Sequence, residues 1–303
     1  NILTTVDSTD STGSAPMLAI GSDGLPVIAY YYITGKDLKF VKCGDLACSA
    51  GNIFTTVENG DAIGTGQIIS IAIGTDGLPI IFYRNMDSNR MKTAHCEDAG
   101  CSSSTITQVD NSNVNNDQST IAIGSDGLPV MAYQSINGVD LHVLKCDKVD
   151  CSGTVTDTVV ATGSDGNFMD MAIGLDGLPI LAWHNQSASG LDLVTMKCGD
   201  LACTAGNTIT VKDTGGDVGR RSRLAIGTDG NPIIAYHDNT NDALKTLKCG
   251  NDACTANETA ITGGSLLGGW MANTRSYSTP FHSVSTMNIV NPTTFQSLDF
   301  ITA

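Results

Sequence analysis

Short runs of apolar residues alternating with polar ones, five to seven residues long and rich in Ile, Val and Thr, recur along the chain. Clusters of Gly, Pro, Asn and Asp separate them, a pattern that predicts half-buried β-strands. No helix-length segment with a 3.6-residue period interrupts them. One pattern returns five times with small changes, as in LAIGSDGLPVIAYY, a polar loop, LKFVKC, four residues, a Cys, then a strand such as NIFTTVE. Its Asp-Gly pair puts aspartates at Asp23, Asp76, Asp126, Asp176 and Asp229, at spacings of 53, 50, 50 and 53 residues. A fixed period of this size marks a repeat architecture.

Each repeat reads as four strands, a to d. Strand a, typified by Ile68 to Ile73, leads into a two-residue Asp-Gly hairpin turn, whose positions tolerate positive φ. A proline such as Pro79 opens strand b, where a missing N–H is tolerable. Strand b ends on Tyr30, Tyr83, Tyr133, Trp183 or Tyr236. Strand c is LKFVKC-like, and strand d follows the second Cys. Four short antiparallel strands per repeat predict an all-β β-propeller with one blade per repeat, at residues 15–58, 67–110, 117–161, 168–213 and 221–263. A solenoid would need polar capping repeats, which are missing here.

The strand count bears on closure. The N-terminal ILTTVDS, within residues 1–9, matches the d strand IFTTVEN and has no a–b–c partner in front of it. The C-terminal LDFITA matches LKFVKC, with Leu298 five residues before Ala303 as Leu38 is before Cys43. Pro280 would open strand b, and Trp270 to Asn273 would belong to strand a. The expectation is a single domain over 1–303 with six blades, in which residues 266–303 form a degenerate last blade completed by residues 1–9 and no sheet edge is left to invite aggregation. Five blades plus a tail is the alternative.

Ten cysteines fall in five pairs: Cys43 with Cys48, Cys96 with Cys101, Cys146 with Cys151, Cys198 with Cys203 and Cys249 with Cys254. Zinc needs four ligands together, commonly from C-x2-C pairs or added histidines; these pairs lie about fifty residues apart, and only His95 sits beside one. They predict five local disulfides, hence an oxidising compartment and an extracellular, secreted or cell-surface protein. No apolar run approaches the ~18 residues of a membrane span. Asn1 opens directly onto strand-like sequence, so a mature or trimmed terminus is expected there. Lys and Arg number 16 against 31 Asp and Glu, a net charge of −15. So acidic a surface repels phosphate backbones and anionic lipid, which sets aside nucleic acid and membrane insertion.

On these residues the repeat resembles those of secreted bacterial tandem-repeat β-propeller proteins, over residues 15 to about 263. It is loosely similar to the Asp-box propellers of sialidases and lectins, whose turn ends in Trp where this chain has Pro-Val or Pro-Ile. The resemblance implies the fold and no particular activity.

Strand order puts the a–b turns and disulfide loops on one face, nearly identical in every repeat. The d–a and b–c loops share the other face and differ in each blade. Tyr31, Tyr32, Arg84, Asn85, Gln134, His184, Asn185, His237 and Asp238 follow the strand-b aromatics there, and Asp170, Arg221, Arg223 and Trp270 come from the d–a side. These residue types around one funnel suit a polar ligand such as a glycan, although ordinary solvated loops look the same. Asp170 with His184 or His237 could transfer protons. Arg220, Arg221 and Arg223 could bind an anion or pair with Asp217 and Asp213. A glycosidase needs paired carboxylates, and the glutamates Glu58, Glu97 and Glu258 lie in rim strands or a disulfide loop. A sialidase-like site would need a Tyr–Glu nucleophile pair, which the sequence does not suggest. The Asp-Gly aspartates read as turn formers rather than calcium ligands. Asp110 to Asp117 (DNSNVNND) is a better oxygen-rich loop, but it lacks the glycine and closing glutamate of an EF-hand. No cofactor is therefore expected, with calcium at the Asp110 to Asp117 loop as the alternative.

Three functions follow, in order. The first is a non-enzymatic recognition or adhesion module for a glycan or surface protein. The second is a structural subunit of a surface layer or filament, with copies of itself as partners. The third is a sialidase-like hydrolase.

Overall fold

The computed structural model describes residues 1–60, 65–110, 114–135, 140–163, 166–186 and 190–256, side chains 65–67 and 114–117 excepted. The sixth-blade segment 266–303, with Trp270, and the fifth blade's d strand lie outside the described residues.

The fold is an all-β propeller. Blade one holds β1 (Ser14–Ile20), β2 (Pro26–Tyr32), β3 (Asp37–Lys42) and β4 (Ile53–Glu58). Blade two holds β5 (Thr65–Ile73), β6 (Pro79–Asn85), β7 (Arg90–Cys96) and β8 (Ser104–Gln108). Blade three holds β9 (Val114–Ile123), β10 (Pro129–Ser135), β11 (Leu141–Cys146) and β12 (Val155–Ala161). Blade four holds β13 (Asn167–Ile173), β14 (Pro179–His184), β15 (Leu193–Lys197) and β16 (Thr208–Asp213), and blade five β17 (Val218–Ile226), β18 (Pro232–Asp238) and β19 (Ala243–Lys248). Within each sheet the strands pair antiparallel in sequence order.

The cysteines form the five expected bridges, each inside its own repeat. Cys43 bonds to Cys48, Cys96 to Cys101, Cys146 to Cys151, Cys198 to Cys203 and Cys249 to Cys254. The spacing alone did not reveal how these short loops close. The second member of each pair, Cys48, Cys101, Cys151, Cys203 or Cys254, takes a positive φ of 51° to 56°. Its N–H donates to the carbonyl three residues back, at Asp45, Asp98, Lys148, Asp200 or Asn251. A turn and a disulfide thus brace the same loop.

The a–b connection differs from the expected two-residue turn. Gly24 N–H donates to Gly21 O, and Gly21 N–H to Leu25 O, so the loop is Ser22-Asp23-Gly24 with Gly24 at φ 80°. This is a type I turn followed by a left-handed glycine. Asp23 stays outside the left-handed region, and its side chain braces the loop, with Oδ1 accepting from Leu25 N–H at 3.0 Å. The same bond recurs at Asp76, Asp126, Asp176 and Asp229. Each aspartate also pairs with the strand-c residue directly before the Cys: Lys42, His95, Lys145, Lys197 or Lys248.

Apolar layers between successive blades form the core. One face of blade one (Val27, Ala29, Leu38, Phe40) packs on Ile71, Ile81, Tyr83 and Ala94 of blade two. Blades two and three, three and four, and four and five meet likewise. Polar ties cross the same seams. Tyr83 donates to Glu58 Oε2 at 2.6 Å while Lys92 reaches Oε1 at 2.6 Å. Tyr236 and Lys245 meet Asp213 at 2.8 and 3.0 Å. In each case the acid ends one blade's outer strand and the Tyr and Lys belong to the next blade.

Candidate functional site

The inner strands carry a repeated irregularity. Ala15, Ile68, Phe168 and Arg221 all sit eight residues before the turn aspartate and all have positive φ, from 48° to 58°. The strand a–b register slips at each of them. Such bulges re-aim inner-strand side chains, and non-glycine residues in this conformation store strain that the surrounding sheet must hold. In blades four and five the re-aimed residues are Phe168 and Arg221. With Arg220, Arg223, Ala235, Tyr236, His237, Asn239 and Leu244 they line a cleft of about 580 Å³.

The electrostatics divide the three arginines. Arg220 is taken: its Nε donates to Asp217 Oδ1 at 2.8 Å and its Nη2 lies 2.6 Å from Oδ2. Arg221 and Arg223 are exposed, and among the described residues neither has a carboxylate partner. Arg223 donates to the Ser222 carbonyl at 2.9 Å. The cleft therefore presents two guanidinium groups on a chain of net charge −15. His237 is half-buried at its edge, with Nε2 3.2 Å from Asp242 Oδ1. Tyr236 supplies a ring edge held by Asp213; burial and that carboxylate push its hydroxyl pKa up.

Most other expected site residues build the scaffold. Tyr31 is buried in the layer between blades one and two. Tyr32 lies under Lys39 Nζ, 5.3 Å from its ring centroid. Arg84 is buried and donates to Asn89 Oδ1 at 3.1 Å. Asn85 caps its turn through Ser88 N–H and donates to Glu58. Gln134 is buried, and Asn185 N–H closes the b–c loop onto Asp192 O. Asp238 is buried beneath Asn241 and Lys245, which hold its carboxyl well below the usual range. These residues sit where the chain must turn, and short polar side chains there cap the backbone.

Asp170 does not pair with either histidine. Its Oδ1 accepts from Thr120 Oγ1 at 3.2 Å and Met171 N–H at 3.0 Å, and its Oδ2 accepts from Leu224 N–H at 2.9 Å. It ties blades three, four and five together at their inner strands. His184 is fully buried, with Nε2 3.0 Å from Asp217 Oδ1. Burial pulls its pKa down, outweighing the attraction of Asp217. Burial opposes ionisation of Asp217 too, yet the Arg220 guanidinium holds that carboxyl low. Of the DNSNVNND loop, residues 111–113 lie outside the described residues; burial pushes Asp110 up to about 7. Sequence reasoning missed Phe168, Asn239 and Leu244. Phe168 stands at the same distance before Asp176 as Arg221 before Asp229, so the repeat itself carried the signal.

No family model and no curated protein sequence matches the chain. Solved structures do. A protein from Bifidobacterium bifidum assigned as an exo-β-1,3-galactanase aligns with a TM-score of 0.50 at 11% identity, over 78% of this chain and 88% of its own. The exo-β-1,3-galactanase of Phanerochaete chrysosporium aligns at 0.49 and 11%, over 81% and 62%. The α-L-arabinofuranosidase of Lactobacillus brevis aligns at 0.47 and 11%, over 80% and 92%. The alignment at 0.50 supports the propeller class, and the neighbours named here are family-43 glycoside hydrolases rather than sialidases or lectins. The expected ordering of functions, with a non-enzymatic recognition module first, a structural subunit second and a sialidase-like enzyme last, runs against these neighbours, which are glycan-cleaving enzymes; at 11% identity the likeness itself carries the fold and not an activity. The five disulfides are compatible with an oxidising compartment.

Proposed function

We propose that this chain is a secreted glycan-processing enzyme that works on acidic sugar chains in the blade-five cleft. The fold likeness alone gives no substrate, since one scaffold hosts many activities. The observation that carries the reading is the pair of arginines, Arg221 and Arg223, without carboxylate partners among the described residues, in one cleft with an imidazole and an aromatic wall. Guanidinium groups bind carboxylates in a planar, bidentate manner. Here they take the carboxylate of a uronic-acid unit, and Phe168 and Tyr236 offer apolar surface to its ring. His237, with Nε2 3.2 Å from Asp242 Oδ1, is the group placed to give its proton to the departing glycosidic oxygen as that C–O bond breaks, while water adds to the anomeric carbon and loses its own proton to solvent.

The test is release of new chain ends from polygalacturonate, with neutral β-1,3-galactan in parallel. Acidic substrate alone should be cleaved. The double variant R221A/R223A should raise KM at least tenfold with kcat little changed, because uniform binding is lost. His237→Gln should instead lower kcat. Cleavage of the neutral polymer only, or an R221A/R223A enzyme with unchanged KM, would refute the arginine reading.

A further inference from the structure

Arg220, Arg221 and Arg223 follow one another along β17 and all line the blade-five cleft. One carboxylate behind the cleft wall decides which of them a ligand can meet. Asp217, directly before β17, has a side chain only 12% exposed. Its Oδ1 accepts from Arg220 Nε at 2.8 Å and lies 3.0 Å from His184 Nε2. Its Oδ2 lies 2.6 Å from Arg220 Nη2 and accepts from Asn239 Nδ2 at 2.8 Å. The backbone pins the residue as well. Asp217 N–H donates to Thr240 Oγ1 at 2.7 Å, and its carbonyl accepts from Asn239 N–H at 2.8 Å.

This arrangement belongs to blade five alone. Counted back from the turn aspartates, the places of Arg220, Arg221 and Arg223 hold no Lys or Arg in the other four repeats. The place of Asp217 holds Ser11, Gly64, Val114 and Ser164. The acid enters the sequence only where the arginines do.

Physical chemistry gives the acid a task. Two guanidinium nitrogens on two oxygens of one carboxylate form the bidentate pair, the most directional of side-chain ion pairs. A ligand carboxylate could take Arg220 only by stranding the charge of Asp217. Leaving so shielded a charge unpaired costs more than a half-exposed pair returns. Arg220 therefore forms part of the wall, while Arg221 and Arg223 face the cleft without carboxylate partners among the described residues.

We propose that Asp217 sets the specificity of the cleft by withdrawing Arg220 from it. Two guanidinium groups then remain for a ligand. They match a chain with one carboxylate per sugar in preference to a denser polyanion that also carries sulfate. The inference rests on the uronate reading above and narrows it. Asp217 is a positioning residue: it acts on the ligand through Arg220 and does not touch it.

The test is a double-mutant cycle on the full chain, with Kd for hexagalacturonate measured by calorimetry at low salt. D217N releases Arg220 and should bind at least about threefold tighter, R220Q leaves the Asp217 charge unbalanced and should bind at least about threefold weaker, and D217N/R220Q should return to within about 1.5-fold of the parent. A chondroitin sulfate hexasaccharide should gain more from D217N than hexagalacturonate does. In the parent itself, NMR of the arginine Nε–H groups should show Arg221 and Arg223 shifting as hexagalacturonate is added and Arg220 unmoved, a readout that needs no variant to fold. D217N binding no tighter than the parent, a double variant as weak as R220Q, an equal gain for both ligands, or an Arg220 signal that moves with the ligand overturns the proposal. R221A/R223A separates this from the reading beneath it. Parent-like binding by that variant, or no binding by the parent, removes the uronate site itself and the proposal with it.

Discussion

Asp170 offers a direct measure of what its carboxylate does, because scaffold and site roles give opposite results. Its Oδ2 accepts the Leu224 amide of blade five at 2.9 Å, and its Oδ1 accepts the Thr120 hydroxyl of blade three at 3.2 Å. The residue is buried. Replacing it with Ala removes charge-assisted bonds worth about 1.5–3 kcal/mol each and strands a buried amide and hydroxyl. Part of that loss recovers through relaxation and water, which leaves about 3–5 kcal/mol. For 303 residues at about 2.1 cal/mol/K each, unfolding entropy near Tm is about 0.6 kcal/mol/K, so Tm should fall about 5–8 °C. The assay is paired urea and thermal unfolding of Asp170→Ala and the parent, with cleavage measured on the protein that remains folded. Asp170→Asn keeps one acceptor and should lose about half as much. An Asp170→Ala protein within about 0.5 kcal/mol of the parent, with its cleavage abolished, would refute the scaffold assignment and return Asp170 to the site.

Two further outcomes follow from the seams and loops. Burial pushes the Asp110 carboxyl up to about 7, outweighing the Met91 amide and the Arg90 charge; the fold therefore favours its protonated form, a contribution complete below about pH 4, lost as pH rises through about 7, and worth up to about 4 kcal/mol. Asp110→Asn should flatten the fall in stability between about pH 4 and pH 7, read by urea midpoints across that range, and an unaltered slope would count against it. Opening the Cys96–Cys101 bridge by double substitution with Ser frees a short loop and should cost about 2 kcal/mol; an unchanged urea midpoint would show that the bridge constrains nothing.

The sequence laid out the blades because their signals are local. Alternation, turn chemistry and Cys spacing act within a few residues, and repetition averages out the ambiguity of any one short strand. The same locality explains two misreadings. The Asp-Gly pair looked like a two-residue turn, but Asp23 bonds the Leu25 amide and draws Ser22 into a three-residue loop. Asn85 and Asp238 looked like ligand groups on a variable face, but each caps its own b–c turn.

By itself, then, the sequence determined the propeller class, the strand order, the disulfide pairs and which loops share a face. Tertiary structure alone decided which variable residues remain open to a ligand. Arg220, Arg221 and Arg223 are indistinguishable in a list, yet Arg220 meets Asp217 while a bulge turns Arg221 into the cleft. His184 and His237 hold equivalent repeat positions, but blade five buries the first while the second stays half-exposed at the edge of the cleft. The physical reason is that a side chain's charge partners and solvation are set by the neighbouring blade, some fifty residues away in sequence, and no local pattern encodes that distance.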